Sequence, residues 1–314
     1  MSIRFDSAAA IAPRPERAPR LDEARSLLDI ATTALEDGWP EKARRFARRA
    51  LTSVDRNPPA DNALVAEIVL CLAVTYEDSE EYVLADAHYQ RASCIANGVA
   101  KPGTDLDGYR LRIRATCGLG NVARALGRYR KAETVLKEAL AQAEWAFGLH
   151  HREVALVMDH LAVLYRTTDR PDNAYRLHRS ALAIAEKVPG GIGSRDVAAI
   201  LQNLAALETA RGDVERAEPF ARRAVAICDQ TFGPDHGKSA AARSALAAIL
   251  ERQGKFDEAE VLYRRALTTF TRWFGADHRQ VALARSSLTA LLGRKARSES
   301  EADLATNRLP YAVM

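Results

Sequence analysis

Apolar and small residues recur along this chain at intervals of three and four, and the whole pattern then returns after about 42 residues. One stretch reads Ala245-Leu-Ala-Ala-Ile-Leu-Glu-Arg-Gln-Gly254-Lys-Phe-Asp-Glu-Ala259-Glu260, followed by Tyr263-Arg-Arg-Ala266-Leu267. An earlier one reads Gly118-Leu-Gly-Asn-Val-Ala-Arg-Ala-Leu-Gly127-Arg-Tyr-Arg-Lys-Ala132-Glu133, followed by Lys137-Glu-Ala139-Leu140. Aligning the break in each pattern gives Gly38, Glu80, Gly127, Asp169, Gly212 and Gly254, at steps of 42, 47, 42, 43 and 42 residues. Five residues after each break stands Ala43, Ala85, Ala132, Ala174, Ala217 or Ala259, and seven further on Ala50, Ala92, Ala139, Ala181, Ala224 or Ala266. Three- and four-residue spacing puts these positions on one face of a helix, so the pattern predicts two amphipathic helices per repeat, joined at the break. Before the break, Leu119, Leu161, Leu204, Leu246 and Leu288 share one register, each followed by Gly120, Ala162, Ala205, Ala247 or Thr289. Small residues there let helix backbones approach to roughly 8–10 Å, and a glycine at the break suits a helix C-cap. One helix pair cannot cover its own apolar stripe, so the repeats must stack. The fold class that follows is all-α, a solenoid of stacked antiparallel helix pairs.

These residues resemble the tetratricopeptide repeat, with its Leu-Gly/Ala step on helix A and its spaced alanines on helix B. The usual unit is about 34 residues; at about 42 the repeat resembles the kinesin-light-chain type. The connectors Phe147-Gly-Leu-His-His151, Phe232-Gly-Pro-Asp-His236 and Phe274-Gly-Ala-Asp-His278 resemble that subclass's Gly-x-x-His loop. The resemblance implies a right-handed solenoid over residues 21–295, six helix pairs and a capping seventh helix A. Residues 1–20, with Pro13, Pro15 and Pro19 among arginines, are expected to be a disordered tail, and residues 296–314 a C-terminal tail. The 47-residue step places an insertion at Asn97–Asp107, the expected mobile loop.

Composition narrows the function. Basic and acidic residues number 45 and 41, a formal net charge of +4 over 314 residues, which is a weak excess for a protein that tracks phosphates. No apolar run approaches the roughly 20 residues of a membrane span, and the N-terminus lacks an export signal; a cytoplasmic protein is expected. Cys71, Cys94, Cys117 and Cys228 show no Cys-x-x-Cys spacing and read as buried thiols of a reducing compartment. Phosphate loops, nucleophile elbows and His-Glu-x-x-His motifs are missing, so no enzyme and no cofactor are expected.

His151, His236 and His278 stand one repeat or more apart and do not converge as metal ligands must; beside the candidate caps Asp235 and Asp277 they read as connector residues. Helix B carries a basic row: Arg48 and Arg49, Arg91, Lys137, Arg179, Arg222 and Arg223, Arg264 and Arg265. Glu133, Glu218 and Glu260 precede Lys137, Arg222 and Arg264 by four residues, the favourable order for helix ion pairs, so this face reads as solvated and locally neutral, and nucleic-acid binding through it is the lesser alternative. The family resemblance implies that helix A lines a concave groove. Its polar positions here are Asn121, Arg124, Asp159, His160, Arg166, Gln202 and Asn203, followed by Ser244, Ser286 and Ser287. The expectation is a non-enzymatic scaffold that holds a protein or peptide segment on those residues, with a peptide-responsive regulatory sensor as the alternative.

Overall fold

The computed structural model describes residues 17–55, 62–99, 106–187 and 192–307. Among the described residues there are thirteen α-helices and no strand. They alternate as helix A and helix B: α1 (Arg17–Glu36) with α2 (Pro40–Asp55), α3 (Asn62–Asp78) with α4 (Tyr82–Val99), α5 (Leu106–Ala125) with α6 (Tyr129–Phe147), α7 (Arg152–Thr167) with α8 (Pro171–Ala185), α9 (Ile192–Arg211) with α10 (Val214–Phe232), and α11 (Gly237–Arg252) with α12 (Phe256–Phe274). Among the described residues a thirteenth helix, α13 (Arg279–Asn307), follows as a helix A with no helix B after it. The chain forms two compact units, Met1–Gly118 and Leu119–Met314.

Every predicted break is a left-handed residue: Gly38, Gly127, Gly212 and Gly254 have φ of 82°, 71°, 85° and 76°, and Glu80 and Asp169 have 62° and 54°. At each, the next residue's N–H reaches five residues back, as from Arg128 to the Ala123 carbonyl at 2.8 Å and from Lys255 to that of Leu250 at 2.9 Å. This Schellman closure satisfies carbonyls that the end of helix A would otherwise leave bare and reverses the chain within three residues.

The recurrent alanines and leucines form the core. Ala132, Ala174, Ala217 and Ala259 are wholly buried, as are Leu204 and Leu250. Close approach is literal at Gly120, where a Cβ would lie 2.6 Å from the Leu136 side chain. At the equivalent place on α13, Thr289 is exposed, with no helix B packed there among the described residues.

The helix ends depart from expectation in three places. α1 begins at Arg17, with Pro19 in its first turn where the missing N–H costs little, and α13 runs on to Asn307; no Pro or Gly interrupts the sequence between Gly293 and Pro310. The insertion is shorter than expected, since Asn97–Val99 end α4 and Leu106–Asp107 begin α5; residues 100–105 lie outside the described residues, as do Gly190 and Gly191. Asp235 and Asp277 are not caps. The connector histidines take that role: Nδ1 of His151, His236 and His278 accepts from the N–H two residues on, at 3.2, 3.0 and 3.2 Å. Each imidazole also stacks on its connector phenylalanine, with centroids 4.5, 5.1 and 4.3 Å apart.

Helix B glutamates tie neighbouring repeats of the Leu119–Met314 unit. Glu133 accepts from Lys137 one turn on and from Arg170 just after the next break, both at 2.8 Å. Glu218 does the same with Arg222 and Lys255, at 2.7 Å each, and Glu260 with Arg264 and Lys295, at 2.9 and 3.0 Å. The guanidinium of Arg170, with the Lys137 ammonium, draws the Glu133 carboxyl down to about 2; Lys255 and Arg222 do likewise for Glu218. In the repeat between, Tyr175 stands at the glutamate position, and Arg211 lies over its ring and pairs with Asp172 instead.

Candidate functional site on the helix A faces

Within the Leu119–Met314 unit, α7 packs on α9 and α9 on α11, whereas among the described residues the B helices α8, α10 and α12 make no comparable approach to one another. The A helices α7, α9 and α11 therefore pack side by side, and side chains at equivalent positions on them fall into rows. All seven expected site residues belong to this unit.

The structure divides them. Asp159 and Asn203 are joined, with Asn203 Nδ2 donating to both carboxylate oxygens at 3.0 and 3.1 Å, from α9 to α7. From beneath, His178 Nδ1 on α8 donates to Asp159 Oδ1 at 2.8 Å. One carboxylate thus binds three helices. Gln202 turns toward helix B, its Nε2 donating to Cys228 Sγ at 3.8 Å. His160 is held below its ordinary range by burial, aided by the Arg124 guanidinium and opposed by Asp159; a neutral imidazole at pH 7 follows.

Arg124 and Arg166 are different. They occupy one register on α5 and α7, five residues beyond Leu119 and Leu161, and both are partly buried. Each has a buried Nε with no hydrogen-bond partner. Neither meets a carboxylate among the described residues, and Asp159, the acid on the same face, is already taken. At the next equivalent positions stand Thr209 and Glu251, so the positive pair is confined to the first two helix A segments of the unit. Asn121, one turn before Arg124, is partly buried and has no side-chain partner among the described residues.

Other features carried little sequence signal. His178 is fully buried in a column otherwise filled by Tyr89, Leu136, Ala221 and Tyr263; only its oddity in that column marked it. Arg243, 1% exposed, donates to the Pro234 carbonyl at 2.7 Å and to Asp229 at 2.6 Å, tying α11 to the connector before it and to α10. Two rows of the helix A face are aliphatic, Leu156, Ala199, Ala241, Leu283 and Val163, Ala206, Ala248, Ala290, and their C-terminal members are exposed. A 42- or 43-residue column count would have found both rows. Of the four cysteines, Cys94 is exposed, contrary to expectation, and Cys71, Cys117 and Cys228 are buried; none forms a disulfide. In the other unit, α1 and α3 border a cleft of about 350 Å³ lined by Arg25, Leu28, Asp29, Ala63, Leu64 and Glu67.

Among the described residues no group of His, Cys, Asp and Glu could hold a metal ion, and no helix is long and apolar enough to cross a membrane.

The tetratricopeptide repeat model matches residues 111–187, 196–268 and 238–306, more than half of the chain. Clustered mitochondria protein homologs from Aspergillus clavatus and Coccidioides immitis are 30% and 31% identical over 107 residues. That stretch is 34% of this chain and 8% of each relative, so the chain matches less than a tenth of their length. Among solved structures, a Rap protein complexed with competence and sporulation factor superimposes with a TM-score of 0.63 at 16% identity, over 93% of this chain and 89% of its own. BtubC (BKLC) from P. vanneervenii gives 0.54 at 21% identity, over 80% and 93%. At these identities the likeness shows a shared fold.

Proposed function

The chain belongs to the tetratricopeptide repeat family, with repeats of the kinesin-light-chain type, and from that premise we propose that its Leu119–Met314 unit holds a segment of a partner protein on the helix A faces of α5, α7 and α9. Proteins of this family are in general non-enzymatic interaction scaffolds. The observation that carries the finer reading is the pair Arg124 and Arg166, partly buried and without a carboxylate among the described residues. An Nε–H in that position has lost water without gaining a protein partner, which favours an acidic side chain brought by a ligand to the guanidinium. Rows on adjacent stacked helices lie roughly 10 Å apart, a separation that an extended chain spans in about three residues. The segment would therefore carry two acidic residues about three apart, Arg124 and Arg166 pairing with them and Asn121 bonding its backbone. Asp159 and Asn203 would keep α7 and α9 in register beneath it. The stacked helices are already ordered, so docking spends little entropy on the scaffold.

Affinity capture from native lysate compares the wild type with Arg124→Ala/Arg166→Ala. The expected result is loss of a captured protein at unchanged helicity and melting temperature, and identical capture by the double variant would retire the assignment. The alternative of a peptide-responsive sensor predicts, in addition, a change in radius of gyration on adding the captured segment, read by solution scattering.

A further inference from the structure

The last helix repeats a face that α11 buries and leaves it bare. On α11, Ala240, Arg243, Ala247 and Leu250 follow one another at three- and four-residue intervals and are at most 1% exposed. Helix B covers three of them: Ala240 clusters with Ala266 and Phe270 of α12, and Ala247 and Leu250 with Ala259 and Tyr263. The same register on α13, 42 residues on, holds Ala282, Arg285, Thr289 and Leu292, and all four are exposed. Arg285 has also lost the acid that its counterpart holds. Arg243 donates to Asp229, but one repeat later Thr271 stands in the place of Asp229, and Arg285 has no ion-pair partner among the described residues. The stripe runs on to Ala296 and Glu299, and residues 296–301 are exposed all round. Such a helical extension has little to hold it by itself.

We propose that this stripe of α13 docks a second copy of the chain, the two α13 helices packing antiparallel about a two-fold axis. A two-fold contact uses one patch on both copies, so the patch must carry its own complement. This one does. Arg285 lies toward its N-terminal end, Glu299 toward its C-terminal end, and Thr289, Leu292 and Ala296 between them. Turned end for end, each Leu292 meets Thr289 of the second copy, and each Arg285 crosses Ala296 to pair with Glu299 of the second copy. The pairing occurs twice, and it supplies Arg285 with the acid that Thr271 does not. One helix pair falls below the roughly 1,200 Å² of a standard interface, so the association is weak and reversible. The proposal stands whether or not the helix A faces of α5, α7 and α9 hold a ligand.

The test is sedimentation equilibrium of the full chain from low micromolar to submillimolar concentration. The wild type is expected to pass from monomer to dimer. Arg285→Glu and Glu299→Arg each set like charges against one another at both ends of the contact and should weaken self-association at least about tenfold. Both positions are exposed, and circular dichroism checks that the variants keep their helices. An equimolar mixture of the two variants restores opposite charges at both ends and should form a heterodimer as strong as the wild-type dimer. A wild type that stays monomeric throughout would leave the face to another occupant, a different protein or residues 308–314, and overturn the proposal. So would a dimer that neither substitution weakens, or a mixture that stays monomeric. Arg124→Ala/Arg166→Ala should associate as the wild type does, so failure of the helix A reading leaves this inference standing.

Discussion

At the residue scale, Asp159 shows how a polar position on a repeat face becomes structural. Its carboxylate accepts from His178 below and Asn203 beside it, and His178 is wholly buried. Removing the acceptor strands a buried N–H, which costs about 1–3 kcal/mol, whereas Asn203, only partly buried, can turn toward water. Asp159→Ala should therefore lower the urea midpoint more than Asn203→Ala does. In the Asp159→Ala background, His178→Leu should recover most of the loss, since leucine already fills this column at Leu136. Midpoints that simply add would contradict the coupling. His151, His236 and His278 teach the converse point, because imidazoles do the capping there, at the last two in place of the expected Asp235 and Asp277.

At the scale of elements, the helices are held to one another by shape and then by charge. Alanines and Gly120 set how near the backbones come, and the glutamate ties join α6, α10 and α12 to the repeat that follows each. Glu133 and Glu218 have folded-state values of about 2, below the ordinary 4.5. A carboxylate whose value is depressed on folding stabilises the fold above its unfolded value and loses that contribution as pH falls toward the folded one. Stability should thus decline between about pH 4.5 and 2. Glu133→Gln/Glu218→Gln should flatten that decline relative to the wild type in thermal melts across the window. An unchanged acid limb would show that these ties contribute nothing. Both side chains keep some contact with water, so the contribution is modest.

For the whole molecule, stability comes from stacking, and the last helix bears on it most plainly. Val281 and Leu291 of α13 are fully buried, in clusters shared with Tyr263 and Phe270 of α12. Ending the chain after Gly275 exposes that face, and each buried aliphatic side chain lost is worth about 1.5–3 kcal/mol. That truncation should lower the melting temperature by many degrees. Ending it after Arg297 keeps these contacts and the Lys295 ion pairs and should change the melt little. Similar melts for the two truncations would deny α13 its capping role.

The 42-residue recurrence, read from the sequence, was enough to fix the helix pairs, the register of their small residues, every left-handed break and the i to i+4 ion pairs. These are local or periodic properties, written in spacing and in what a single turn or helix face will tolerate. The fate of each polar side chain on a helix A face was not local. Asp159 and Asn203 share a register with Ser244 and Ala245, yet the first two are locked together because a histidine happens to lie in the core below. Arg124 and Arg166 are left without a carboxylate because the nearest acid on their face is spoken for. Which charges are spent inside the fold and which remain for a partner depends on residues one repeat away or on the other helix of the pair. Such neighbours meet only when the stack closes, so the supply of open cations was decided by tertiary packing.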